Sequence, residues 1–562
     1  MVYVYAKKSE LNKYIGQELE VEEIKSILMD MGMDIKGESE NDDPELKIEI
    51  TAEKLDMVSA VGIGRAIKFY GGYSKKIPKY EIEPSGYTLY VKESAREVRP
   101  KTVCAILKDV PMSSEFLDEM IKIQEKIHDS FGRGRKKAAI GIYPMDKINF
   151  PVTFAAEKPE DIVFKPLEFD REVNGRELLE VHDTGKKYAH LLKDCELYPV
   201  FRDFKGKVLS VPPIVNSQEL GKVGVENKDL FIECSGHNIS HLDNVLKVLV
   251  TTFMDMGARA ESIEVSYEGE DEVYHLDLSE RDDEISLDFV NKWIGVDIGG
   301  DEVERLLKKV MFEVGSVDGD KVKIGIPPFR ADIWHDVDIA DDIARAYGYN
   351  NIVPKFPQVA SVGGVLDISR FRESFSESMK ALGFLETYTY MLTSSVEQFD
   401  KMCLDYSKED YIKLLDSEDR GLNMVRVRVL PESLNALHVN RKNSYPQKIF
   451  ENGFTIKVDD NSDTGSSDEG HLCVAIADPK ANYTQIKGVL DTLFKLHEIE
   501  FKVVESLNSF LIEGRRGDVY VNGERVGFVG EVHPQVLENF GLLVPACALE
   551  INLDKLFSLV EK

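Results

Sequence analysis

The chain has 562 residues, 43% of them apolar and 30% charged, so at roughly 100–200 residues per domain it is long enough for about three to five folded units, and its composition excludes general disorder. Acidic residues outnumber basic ones 100 to 70, for a formal charge of −30, which excludes a protein whose main task is gripping a phosphate backbone. No apolar run approaches the roughly 18 residues of a membrane span, the amino terminus lacks a secretory pattern, and the six widely spaced cysteines form neither a CxxC pair nor a compact disulfide framework. The expectation is a multidomain α+β protein of the cytoplasm.

In chain order, residues 1–83 read as a small α+β domain. VEEIKSILMDMGM carries Val21, Ile24, Ile27, Leu28 and Met31 on one helical face and ends at Gly32. A strand, LKIEI, follows, and then an apolar-faced helix for which Thr51 is the expected cap and Gly71-Gly72 the stop. The tract KKIPKYEIEPSG reads as a linker. Residues 84–275 alternate strands (TVCAILKDV, AAIGIY) with a helix, EFLDEMIKIQEKIHDSF, and a basic GRGRKK, which suggests a second α+β domain.

Between 276 and 356, two short helices, a hairpin turning on the Asp318-Gly319 pair and a third helix starting near Asp336 predict a winged-helix-like module. From 357 to the end, the helix SRFRESFSESMKALGF precedes β-rich text. DDNSDTGSSDEG reads as a surface loop in one long hairpin, and Asn522-Gly523 as the turn of another. A large antiparallel sheet flanked by helices is expected there.

The winged-helix-like module carries an acidic cluster. Asp332 precedes its third helix, and Asp338, Asp341 and Asp342 stand at i, i+3 and i+4 on one face. One reading is a solvated first turn, favoured by the helix dipole and capped by Asp336. The other is a hard divalent cation such as Mg²⁺, which takes carboxylate and water ligands.

Four stretches, in order, resemble the β subunit of phenylalanyl-tRNA synthetase of the archaeal and eukaryotic cytosolic type. They are EITAEKLDMVSAVGIGRAI, in which Lys54-Leu55 replaces the family's Arg-Pro; GRGRKKAAIGIYPMDKI with HDTGKKYAHLL and LSVPPIVNSQ; IPPFRADIWHDVDIADDIARAYGYNNIVP; and PQKIFENGF with GFVGEVHPQVLENFGLLVPACALEINL. The resemblance implies an N-terminal α+β domain, a tRNA-editing-like α+β domain, the winged-helix-like acidic domain and a degenerate class II synthetase core. It implies no carboxy-terminal anticodon-binding domain, since the sequence ends just after EINLDKL.

By the same resemblance, Asp332, Asp338, Asp341 and Asp342 are ligands of a Mg²⁺ shared with an α subunit. The partners are that α subunit, in an (αβ)₂ heterotetramer, and tRNA(Phe), with ATP the substrate of the complex. A hydrolytic site for Tyr-tRNA is placed among LSVPPIVNSQ and FIECSGHN. Leu209, Asn216 and Ser217 are the candidate wall and hydrogen-bonding groups, Glu233 the phenol reader or water orienter, and Ser235 a second polar contact. Relatives commonly have F-I-D-x-T-G-T-D where this chain has Phe231 to Asn238 as FIECSGHN, so a domain kept only as architecture stays open, as do a free-standing tRNA deacylase and a paralogous scaffold. His182 and His190 are read as capping or packing residues and GRGRKK as either a tRNA contact or a solvated loop. Arg426 and Arg428 are the arginines available in the last domain. GEVHPQVLENFGLLVPACALEINL holds no arginine, so that core is not expected to make an aminoacyl-adenylate.

Overall fold

The structure, a computed structural model, describes residues 2–560 except 272, 358, 416 and 418–420. The chain forms two compact units, Met1–Phe356 and Pro357–Lys562, and its architecture is α+β throughout.

The first unit opens with a three-stranded antiparallel sheet in the order Val2–Lys7, Glu45–Ile50, Asp34–Glu38. Helices Lys8–Ile15, Val21–Asp30 and Ala60–Tyr70 pack on it. The cap of the last helix is Ser59, whose Oγ accepts from the Gly62 amide at 3.1 Å, and not Thr51, because Leu55–Met57 forms a separate 3₁₀ turn first. Gly62 is obligatory there: a Cβ would stand 1.8 Å from the Asp56 carbonyl oxygen. Part of the expected linker is likewise structured, since Glu83–Val91 is a strand.

That strand belongs to a mixed ten-stranded sheet. Its main path runs Val215–Asn216, Val208–Val211, Tyr198–Arg202, Val152–Glu157, Glu83–Val91, Arg259–Tyr267, Lys101–Lys108, Leu230–Gly236, Ala138–Pro144, with Val273–Tyr274 paired beside Arg259–Tyr267. Strand alternation sorts its faces. Val103, Ala105, Leu107, Ile232 and Cys234 enter the core shared with helices Ser114–Asp129 and Ile239–Asp255, whereas Cys104, Ile106, Tyr143 and Phe231 enter a second core with Phe154 and Phe201. Ile239–Asp255 is the central helix of the first core, and its fully buried Leu246, Leu249 and Phe253 each contribute about 1.5–3 kcal/mol.

The acidic module is a three-stranded sheet, Arg281–Ser286, Lys321–Ile326, Glu313–Asp318, with helices Leu287–Ile294, Gly300–Lys309 and Asp336–Tyr347. The helices and the hairpin lie where the periodicity places them; the leading strand carries too few apolar residues, Ile285 being its one buried member, to register as a strand.

The second unit is a seven-stranded sheet in the order Leu385–Glu386, Gln447–Val458, Ser466–Ala477, Ala546–Asn552, Glu524–Val532, Leu511–Val521, Lys502–Glu505, antiparallel except for its first pair. Leu472, Val474 and Ile476 face helices Asp367–Ala381, Tyr483–Leu496 and Leu553–Val560, while Cys473, Ala475 and Ala477 face Leu430–Val439 and Pro534–Asn539. Asn522 and Gly523 take φ of 50° and 86°, the paired left-handed turn that Asn-Gly favours. The first hairpin is longer than expected: strand pairing continues from Val458 to Ser466, leaving only 459–465 as the turn.

Candidate functional site

The edge strand Ala138–Pro144, the loops around 212–223 and the helix Ser114–Asp129 enclose a cavity of about 440 Å³. Strand register sets its chemistry. Glu233 lies opposite Gly141, and a Cβ at position 141 would sit 2.5 Å from Glu233 Oε1 and 2.2 Å from the Tyr143 hydroxyl. Glycine here leaves the room that the two polar side chains occupy.

Glu233 is 2% exposed. Its Oε1 is 3.1 Å from the Tyr143 hydroxyl, which also lies 2.7 Å from Ser210 Oγ. Its Oε2 is buried with no hydrogen-bond partner. Burial pushes the carboxyl up to about 8, against the opposing pull of the Tyr143 hydrogen bond, the Arg99 charge and the nearby Ser235 hydroxyl. Near neutral pH this group is largely protonated, and one oxygen is left to exchange a hydrogen bond with whatever enters the cavity. A buried polar atom left unmatched costs about 1–3 kcal/mol, which a complementary hydroxyl would recover.

Of the five residues expected at this site, Asn216 and Glu233 line the cavity. Asn216 Nδ2 is 3.3 Å from the Ile142 carbonyl oxygen. The other three do not reach it. Leu209 is part of the second core, Ser217 Oγ accepts from the Leu220 amide at 3.2 Å, and Ser235 Oγ accepts from Arg99 Nε at 3.1 Å. Tyr143, Ser210 and Gly141 escape sequence reasoning, although a glycine inside the strand AAIGIY is itself a signal of close approach.

The basic loop divides. Arg135 is spent on the fold, with Nη2 2.9 Å from Glu125 Oε1 and Nη1 2.9 Å from the Ile214 carbonyl oxygen at the cavity wall. Arg133, Lys136 and Lys137 remain exposed. His182 is buried, with Nε2 3.1 Å from the Leu167 carbonyl oxygen.

The four aspartates of the acidic module do not gather around a common point. Asp332 accepts from Arg330 Nε at 2.8 Å and Lys54 Nζ at 2.6 Å. Asp342 is paired with Arg330 and stands 3.4 Å from Lys54, and Asp341 is bonded to Arg345 and Tyr349. Asp338 Oδ2 accepts from the Trp334 and His335 amides at 2.8 Å, as the inner half of a capping box whose cap residue is His335 and not Asp336. Burial alone would raise the Asp332 carboxyl, but Arg330 and Lys54 outweigh it and hold it well below the usual range. Among the described residues no group of three or more His, Cys, Asp or Glu side chains could hold a metal ion. The donor set therefore does not fit Mg²⁺: the ammonium of Lys54 and the guanidinium of Arg330 supply the positive charge.

In the second unit neither candidate arginine is free. Arg426, 2% exposed, donates through Nη1 to Glu451 Oε1 and Thr389 Oγ1 at 2.7 Å each, and through Nε to the Phe454 carbonyl oxygen at 2.7 Å. Arg428 is paired with Glu409. His471 Nδ1 lies 2.8 Å from Glu550 Oε1, whose carboxylate accepts from the Val429 and Leu430 amides. No described helix is long and apolar enough to cross a membrane.

Two family models match, the "Phenylalanyl tRNA synthetase beta chain CLM domain" over residues 352–553 and the "tRNA synthetase B5 domain" over 284–349. The chain is 35% identical to the phenylalanine–tRNA ligase beta subunit of Thermococcus sibiricus, with 97% of each chain covered. It is 34% identical to that of Pyrococcus furiosus, covering 98% of this chain and 99% of the relative, and 33% identical to that of Archaeoglobus fulgidus, covering 98% and 97%. A crystal structure of an N-terminal fragment of the Pyrococcus horikoshii beta subunit matches with a TM-score of 0.59 at 34% identity, covering 61% of this chain and 99% of the fragment.

Proposed function

The chain belongs to the family of phenylalanine–tRNA ligase beta subunits, and from that premise we propose a division of labour: the alpha subunit activates phenylalanine with ATP, while this subunit scaffolds an (αβ)₂ complex and hydrolyses Tyr-tRNA(Phe). Arg426 and Arg428, committed to internal carboxylates, are not placed to clamp a phosphate, which supports a degenerate class II core without an adenylation site. The second unit exposes Leu385, Tyr388, Tyr390 and Leu392 close together in sequence, apolar surface suited to a protein partner. The acidic module acts as architecture, and no step is routed through magnesium.

The need for hydrolysis is physical. An apolar pocket built for phenylalanine rejects an added hydroxyl by only about 10², so tyrosine is mischarged unless a second site reads the hydroxyl positively. The observation that carries the reading is the buried Glu233 in the 440 Å³ cavity, with one oxygen unpartnered. A tyrosyl hydroxyl satisfies that oxygen and a phenylalanyl ring leaves it unmatched, the kind of site that discriminates by roughly 10⁴–10⁵. Exposed Arg133, Lys136 and Lys137 beside the wall residue Arg135 offer local positive charge to the tRNA backbone in an otherwise acidic protein.

The test is reconstitution with the alpha subunit, followed by aminoacylation and Tyr-tRNA(Phe) hydrolysis assays. Glu233→Ala abolishes deacylation and leaves charging nearly intact; unchanged deacylation removes Glu233 from the site.

A further inference from the structure

A second cavity, of about 270 Å³, lies within the first unit between the N-terminal segment and the acidic module. Its apolar lining includes four methionines: Met31, Met33, Met57 and Met311. All four are buried, and their unbranched thioethers adapt to a guest and favour aromatic contact. Met311 takes a left-handed φ of 66° just after the helix Gly300–Lys309, which brings it and Lys309 to the same wall.

The charges on the wall fall into two groups. Lys54, Arg330, Asp342 and Arg345 are matched among themselves and with Asp332 and Asp341. Glu49, Glu53 and Lys309 stand outside that network, Glu53 as an exposed carboxylate with no ion pair among the described residues. Glu49 Oε2 reaches Lys36 at 3.1 Å, but Oε1 is buried with no hydrogen-bond partner. Lys309 Nζ lies 3.3 Å from the Ala346 carbonyl oxygen and 4.7 Å from the centre of the Tyr70 ring, and it makes no ion pair among the described residues. The cavity thus presents an unmatched carboxylate oxygen, an ammonium without a counter-ion and a flexible apolar floor. A small pocket of this kind, mostly apolar with a few placed polar groups, is built for a small ligand, and the free oxygen of Glu49 together with the unpaired ammonium of Lys309 suits a zwitterion.

We propose that this cavity binds a free α-amino acid with a large apolar or aromatic side chain, its carboxylate on Lys309, its ammonium on Glu49 and its side chain among the methionines. The site is separate from the cavity at Glu233, and its occupancy would tie the N-terminal segment to the acidic module.

The experiment is calorimetric titration of the purified full chain with L-phenylalanine, compared with 3-phenylpropanoate, which lacks the amine, and 2-phenylethylamine, which lacks the carboxylate. It is paired with spectra of the [methyl-¹³C]methionine-labelled protein. Saturable binding is expected, with shifts at the methyls of Met31, Met33, Met57 and Met311. Either analogue, and either variant, Glu49→Gln or Lys309→Met, weakens binding roughly ten- to hundredfold, as loss of one charge-assisted hydrogen bond requires. The methyl spectra of the unmodified protein decide the matter even if a variant misfolds. Absence of binding, shifts confined to other methionines, or affinity indifferent to both analogues and both variants overturns the proposal.

Discussion

The most exacting perturbation is Arg426→Met. Arg426 and Glu451 are each 2% exposed in their side chains and 2.7 Å apart, and Thr389 bridges them, its hydroxyl 2.7 Å from Arg426 Nη1 and 2.7 Å from Glu451 Oε2. Methionine keeps much of the arginine volume but strands the Glu451 carboxylate in the interior with only Thr389 for company, and it leaves the Phe454 carbonyl unmatched. Breaking a buried pair from one side costs about 3–5 kcal/mol. For a unit the length of 357–562, at about 2–4 °C per kcal/mol, the melting transition falls by roughly 6–20 °C. Replacing both partners, Arg426→Met with Glu451→Leu, removes the stranded charge and recovers most of the loss, short of about 1 kcal/mol for the orphaned Thr389 hydroxyl. The assay is differential scanning calorimetry of the three proteins side by side. An Arg426→Met protein that melts with the parent, or a double variant no better than the single, refutes the assignment of Arg426 to the core's architecture.

Three further outcomes follow from the buried charges. Because burial holds the Glu233 carboxyl at about 8, the folded chain keeps a proton that the unfolded chain releases above its ordinary carboxylate range; stability contributed here falls from about pH 5 to pH 8 at up to ~1.4 kcal/mol per unit, and Glu233→Gln flattens that slope in urea titrations. Burial lowers the His471 pKa, but Glu469 and Glu550 outweigh it and the net shift is upward, so its stabilisation is complete below about pH 6.5 and is lost as pH rises through the raised value; His471→Gln should abolish that dependence in the second unit. Lys54→Met leaves Asp332 to Arg330 alone and Asp342 to Arg330 and the more distant Arg345, and destabilises toward the lower end of ~3–5 kcal/mol, while melting of the unmodified chain is indifferent to millimolar Mg²⁺ or EDTA; a Mg²⁺-dependent rise in that chain would show that the carboxylates can leave their cations.

What the sequence made legible was mostly periodic. The helices Ser114–Asp129, Gly300–Lys309 and Asp367–Ala381 and the Asn522-Gly523 hairpin announce themselves by apolar spacing and turn chemistry. The cap at Ser59 was hidden because Thr51 offers the same kind of hydroxyl eight residues earlier, and only the tertiary path, with a 3₁₀ turn between, decides which one starts the helix. At the candidate site, Glu233 and Asn216 lie in stretches that the family resemblance singled out. Tyr143 and Ser210 come from strands far apart in sequence and meet only because the ten-stranded sheet brings Tyr198–Arg202, Val208–Val211 and Ala138–Pro144 into one unit. The aspartate cluster illustrates the opposite failure. Helical spacing correctly put Asp338, Asp341 and Asp342 on one helix, but of the two cations that neutralise Asp332 and Asp342, Arg330 and Lys54, the second lies 278 residues away from Asp332.

Residue type alone therefore does not separate a candidate polar site from a structural one in this chain, and neither does satisfaction alone, since both oxygens of buried Asp56 lack a hydrogen-bond partner; an unmatched oxygen beside a cavity does. Asp332, Asp342, Glu451 and Glu550 are carboxylates buried much as Glu233 is, yet each is matched by cations or backbone amides within hydrogen-bond reach. Removing a partner from any of them costs stability because the charge has nowhere else to turn. Glu233 differs in two respects at once: one of its oxygens has no partner, and it borders a cavity wide enough for a ring. A fold under selection for stability alone gains by filling that space or pairing that atom, since an unmatched buried group costs about 1–3 kcal/mol. Retaining both the vacancy and the unmatched oxygen in one place is what a site that waits for a hydroxyl requires, and Glu49 with Lys309 repeats the pattern for a charged guest.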